Sequence, residues 1–200
     1  MNENEIKKYQ LIGLVGGFIL HLVISSTFPT INVYMIKHIS TDFFKITVLI
    51  ESIVSFVIYY IMNKRDSMNN LIILEKIRTH FVKVLIFSNI IYVTANIAGI
   101  SVPEIRFLIL SSFDCIAMCL WDIIMSDLWN NILEKSEITD YNNRQRKYNT
   151  GARILGAGFA VLTDFNIVIC LVLQSIAFLV LSISDYIVYK GLFNKAYNKE

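Results

Sequence analysis

Four polar side chains lie deep inside long apolar runs: His21, Glu51, Asn89 and Asp114. An imidazole and two carboxylates are the side chains that hold and pass protons, and an amide can orient either. Ionisable groups in hydrocarbon are costly and usually face a cavity or a partner. Counted from the ends of their apolar runs at ~1.5 Å per residue, all four reach a similar depth. The residues around them extend the pattern. Gly13, Gly17, His21 and Ser25 form one stripe, and Glu51, Ser55 and Tyr59 form another. The expectation is an interior cavity at mid-membrane, able to take a proton or a substrate. The alternative is a closed structural network in which His21 is hydrogen-bonded to one carboxylate.

A second polar group sits toward one end of the same runs. Asp122 and Asp127 close the fourth run and Arg153 opens the fifth. An ion pair between them would relieve the burial of Arg153, and a pair at that level can also act as a gate. Charged groups near helix ends can instead reach water by extending along the helix.

These residues need long apolar elements to hold them. Six such stretches run roughly over Leu11–Tyr34, Phe43–Met62, Thr79–Ile100, Pro103–Trp129, Tyr148–Thr163 and Ile167–Tyr189. Each is near the ~20 residues that cross ~30 Å of hydrocarbon as a helix. With 55% hydrophobic residues and a mean hydropathy of +0.56, the 200-residue chain reads as one all-α, polytopic membrane domain, residues 1–200, of six transmembrane helices in a single bundle. The first helix is read as retained, since no small-residue cleavage site follows its apolar run.

Charge fixes the expected orientation. If the six stretches alternate, fifteen of the eighteen Lys and Arg fall on the side of the N-terminus, the second and fourth loops and the C-terminus. The other side holds Lys37, Lys45 and Arg106. Cytoplasmic loops accumulate Lys and Arg, so both termini are expected in the cytoplasm, and the chain is expected in a bacterial plasma membrane. The same rule accounts for the basic loops without nucleic acid.

Small residues recur where membrane helices approach closely. Gly13 and Gly17 form GxxxG, and Ala152, Gly156 and Ala160 form a small-residue face. Gly13, Gly17, Gly156 and Ala160 are therefore expected at helix contacts. Cys115 and Cys119 are one turn apart, which suits packing better than a site, since no His lies near them in sequence. No metal, cofactor, intramembrane hydrolase pattern or nucleotide loop is expected.

The chain resembles a single six-helix half of a major facilitator superfamily transporter. Asn63-Lys64-Arg65-Asp66-Ser67 is similar to that family's basic-acidic loop, without its glycines. IRFLILSS places Arg106 like the family's arginine-bearing fourth helix. DLWNNILEKSEITDYNNRQRKYNTGARILGAGFAVL is similar to the passage into its glycine-rich fifth helix, with Arg144, Gly151 and Gly156 in comparable places. Such transporters carry two bundles with substrate between them. The resemblance implies a half-size transporter acting as a parallel homodimer or with a partner half, on a small-molecule or peptide substrate, with proton coupling open to it. Two other readings fit six helices: a substrate-binding subunit of a larger uptake system, and an accessory or immunity-type membrane subunit. In all of them the chain is no enzyme.

The topology is directly testable. In a chain freed of its native cysteines, single cysteines at Lys37 and Lys195 are expected to label from opposite sides of the membrane. Labelling of both from one side excludes the alternation.

Overall fold

The computed structural model describes residues 3–64, 80–113, 119–162 and 166–197, with some side chains of the second, fourth, fifth and seventh helices outside that set. All seven described elements are α-helices: α1 (Glu3–His38), α2 (Thr41–Lys64), α3 (Phe81–Ser101), α4 (Pro103–Phe113), α5 (Cys119–Asn130), α6 (Lys135–Leu162) and α7 (Ile167–Tyr197). Three of them, α1, α3 and α7 through Phe193, are long and apolar enough to cross a membrane. The remaining crossings expected from the sequence do not reach that level among the described residues.

Helix starts follow local chemistry. Ser40 Oγ accepts from the Phe43 N–H at 3.2 Å and caps α2. Asn166 Oδ1 accepts from the Val168 N–H at 2.9 Å and caps α7. Before α6, the Glu137 carboxylate accepts from the Glu134 N–H at 2.9 Å, the reciprocal half of a capping box. Pro103 opens α4, where its missing N–H leaves no bond unmade.

That cap at Glu134 changes the sequence reading. By composition alone the polar stretch Asn130–Lys147 is a loop between the fourth and fifth apolar runs. It is instead mostly the first half of α6, which continues without a break into the apolar segment ending at Leu162. The fourth apolar run is described in two pieces, α4 and α5, with residues 114–118 outside the described set.

Hydroxyls inside the apolar helices are satisfied within their own helix. Thr27, Thr47, Ser52, Ser175, Ser182 and Ser184 each donate to the carbonyl four residues before. In hydrocarbon no water replaces such a bond, so the local carbonyl is the cheapest partner.

The chain forms two compact units: residues 1–34 with 125–200, and residues 35–124. In the first, contacts give the helix directions. Going up α1, Gln10 meets Arg144, Gly17 meets Asn149, His21 meets Arg153 and Ser25 meets Gly156. Both numbers rise together, so α1 and α6 are parallel. Tyr9 meets Gly191, Gly16 meets Ser184 and Thr27 meets Gln174. Here one number falls as the other rises, so α7 is antiparallel to α1.

Glycines allow these approaches. A Cβ on Gly156 would overlap the Leu22 carbonyl oxygen and come within 2.8 Å of Ser25 Cβ. A Cβ on Gly16 would sit 2.7 Å from Ser184. Gly13 and Gly17 face α6 with more room, 3.0 Å from Tyr141 Oη and 3.4 Å from Asn149 Oδ1. Ala160 is partly exposed.

In the second unit, α4 packs on α3 and α2. The α3–α4 hairpin folds Arg106 over Gly99, and Arg106 Nε donates to Asn96 Oδ1 at 3.0 Å with both residues buried. Tyr92 on Phe113 and Phe44 on Phe107 close the unit with ring centroids 6.4 and 5.3 Å apart.

Gly156→Ala is expected to lower the melting temperature in detergent, by overpacking worth about 1–3 kcal/mol. Gly158→Ala, where the added methyl meets nothing within 4 Å, is expected to leave it unchanged or raise it slightly. Equal behaviour of the two variants would remove Gly156 from the contact.

Candidate functional site

The first unit holds a seam of polar side chains between α1, α6 and α7. Its base is a cluster at the N-terminal ends of α1 and α6 and the C-terminal part of α7. Arg144 Nη2 donates to Gln10 Oε1 at 3.1 Å and pairs with Asp140 at 3.0 Å. Gln10 is buried although it stands among the first, largely polar residues of the chain. Tyr141 is buried beside them, with its ring against Trp129 at 4.9 Å between centroids. Asp185 on α7 is also buried.

Their electrostatics are coupled. Burial pushes the Tyr141 phenol well above its ordinary range, the Asp185 carboxylate pushes it further, and the Arg144 guanidinium opposes both. The phenol therefore stays neutral in the folded protein, and a neutral O–H can donate within the cluster.

One step along the seam, two atoms are sealed from solvent without a hydrogen-bond partner: Arg144 Nε and Asn149 Oδ1. Both belong to α6, and Asn149 faces the bare backbone of Gly17. Buried polar atoms of this kind are ordinarily satisfied by water or a ligand.

The next layer is His21 with Arg153. Arg153 Nε donates to His21 Nδ1 at 3.4 Å. That bond uses the lone pair on Nδ1 and leaves the proton of a neutral ring on Nε2. Beyond it, Gln174 Nε2 donates to Thr27 Oγ1 at 3.0 Å, both buried, and ties α7 to α1.

The residues expected to share a cavity fall as follows. His21 lies in the first unit and Asn89 in the second. Asn89 Nδ2 donates to the Leu85 carbonyl of its own helix at 2.8 Å. The Glu51 side chain and Asp114 lie outside the described residues, as do the side chains of Asp122 and Asp127, Cys115 and Cys119, and residues 65–79. Arg153, expected beside Asp122 and Asp127, has His21 as its partner among the described residues. Sequence reasoning missed Gln10, Tyr141, Asn149 and Asp185. Gln10 and Arg144 are 134 positions apart, and no local pattern links them. Among the described residues no group of His, Cys, Asp and Glu could hold a metal ion.

No family model, curated protein or solved structure matches this chain.

The Tyr141 environment gives a pH signature. The folded phenol ionises above the unfolded value of about 10, so stability from the buried neutral phenol is complete below pH ~10. It is lost as pH rises past that value, because the unfolded chain then releases the proton first. Tyr141→Phe is expected to make the fall in melting temperature between pH 9 and 11 shallower than in the parent protein. An identical fall would take Tyr141 out of the buried cluster.

Proposed function

We propose that the chain is an integral membrane transport protein of six crossings, a half-size transporter that works as a parallel homodimer or with a partner half. The observation that supports transport is the seam: buried Gln10, Thr27, Gln174 and Asp185, with half-buried His21 and Arg144, lie between helices whose outer faces are apolar. Leu11, Val15, Phe28 and Val33 on α1, and Ile169, Val172, Ile176 and Ile183 on α7, are exposed. Such faces suit lipid, while the seam offers a polar solute an interior to enter.

Helix direction supports the crossing count. Successive crossings alternate in direction. If α1, α3 and α7 were the only crossings, α1 and α7 would be parallel. Their antiparallel pairing requires an even number of crossings between them. Counting α2, α3, α4 with α5, and α6 gives four, and makes α1 and α6 parallel as their contacts are. Both termini then lie on one side, which the distribution of Lys and Arg assigns to the cytoplasm.

In this reading one of the two carboxylates, Glu51 or Asp114, carries the coupling proton. The test is uptake into proteoliposomes under an imposed proton gradient, over a panel of radiolabelled amino acids, sugars and organic anions. Glu51→Gln and Asp114→Asn keep shape and remove charge. At least one of them is expected to abolish gradient-driven uptake while the protein still purifies folded. Uptake at the parent rate by both variants across the pH range would sink proton coupling, and absence of uptake of every solute by the parent protein would sink transport.

A further inference from the structure

The His21–Arg153 layer has an electrostatic imbalance that its own residues do not correct. Arg153 brings a guanidinium cation to this layer. Its partner is an imidazole, which accepts one hydrogen bond and supplies no negative charge. The described acids of this unit are engaged elsewhere or stand at its polar end: Asp140 pairs with Arg144, Glu3 pairs with Lys7, and Asp185 sits by Tyr141.

The surroundings make this imbalance costly. Arg153 lies six positions past Lys147, about 9 Å further along α6. The residues that follow it on the helix are apolar and exposed: Ile154 is 68% exposed and Leu155 53%. Arg153 is itself exposed, so in the membrane placement proposed above its guanidinium faces lipid and calls for an anion.

The donors fit one. The Nε–H of Arg153 goes to His21. Among the described residues nothing else engages its two Nη groups or the Nε2–H of His21. A guanidinium presents its Nη donors as a planar fork that matches two oxygens of a carboxylate or phosphate. An imidazole N–H supplies a third donor. One turn before Arg153, Asn149 Oδ1 is a buried acceptor without a partner, which a protonated phosphate oxygen or a bridging water can donate to.

We propose that His21 and Arg153 form a binding site for an oxyanion of the phosphate type. The ligand is either a free phosphate-bearing solute or the headgroup of an anionic lipid, and both present the same oxygens to the same donors. The site rests on the membrane placement proposed above but not on transport, so it can fail while uptake persists, and the reverse.

The experiment is thermal unfolding of the full chain in a maltoside detergent, which carries no phosphate. In one arm inorganic phosphate is titrated against chloride at equal ionic strength. In the other, phosphatidic acid is compared with phosphatidylcholine in mixed micelles. The parent protein is expected to gain melting temperature in at least one arm, as a ligand of the folded state requires. Arg153→Gln is expected to bind about tenfold more weakly or not at all, the loss expected for charge-assisted bonds. Arg146→Gln, which removes an exposed charge from the same helix, is expected to respond as the parent does. A response to phosphate alone assigns a soluble ligand, and a response to phosphatidic acid alone assigns a lipid headgroup. If Arg153→Gln does not fold, Arg153→Lys keeps the charge without the fork or the Nε donor, and is expected to bind more weakly than the parent. The proposal is overturned if the parent is silent in both arms. It is equally overturned if the Arg153 variant that folds responds as strongly as the parent.

Discussion

The contact between Gly156 and the Leu22 carbonyl sets the distance between α1 and α6, and the seam depends on that distance. Membrane helices gain nothing from hiding apolar surface against each other in lipid. They associate by close packing and by polar contacts between helices. With a side chain at 156 the two axes would move apart. Arg144 would then no longer reach Gln10, and Arg153, already at 3.4 Å, would lose His21. Packing and polar chemistry are thus one arrangement: the glycine brings the backbones together, and the long side chains on either side span what remains.

The third helix is held by the same means in the opposite direction. Gly16 admits Ser184, and Gly191 admits the ring of Tyr9. Thr27 and Gln174 add a buried hydrogen bond further along. Thr27 also donates to the Val23 carbonyl at 2.7 Å, so one hydroxyl serves its own helix and its neighbour. Three helices therefore meet around residues that an apolar composition would not suggest.

Much of this was legible in the sequence, and the reasons for the rest are specific. The long helices α1, α3 and α7 follow from uninterrupted apolar runs, which leave the backbone no partner but itself in lipid. Gly13, Gly17 and Gly156 stood out by spacing. Gly16 and Gly191 did not, because each acts singly and its partner is far away in sequence. The continuity of α6 was hidden by composition: Asn130–Lys147 is polar, and polar stretches between apolar runs read as loops. The Glu137 cap and the burial of Tyr141 make it helix. Gln10 lay among charged residues at the start of the chain, and its contact with Arg144 and that of Tyr9 with Gly191 show that this part of α1 is packed. His21 and Arg153 were each visible as ionisable groups in apolar surroundings. Their pairing was not, since it depends on α1 and α6 running parallel with a fixed offset.

That fixed offset makes the first unit intolerant of changes in length. Between Arg144 and Arg153 there is only helix, with no loop to absorb an extra residue. One inserted residue would turn everything beyond it by about 100° and advance it by about 1.5 Å. Arg153 and Gly156 would swing off α1 while Arg144 kept its place on Gln10. Four inserted residues would nearly restore the facing but shift the layers by a whole turn against α1. Within this stretch a chain can exchange side chains but cannot add or remove them without unmaking one end of the seam to keep the other.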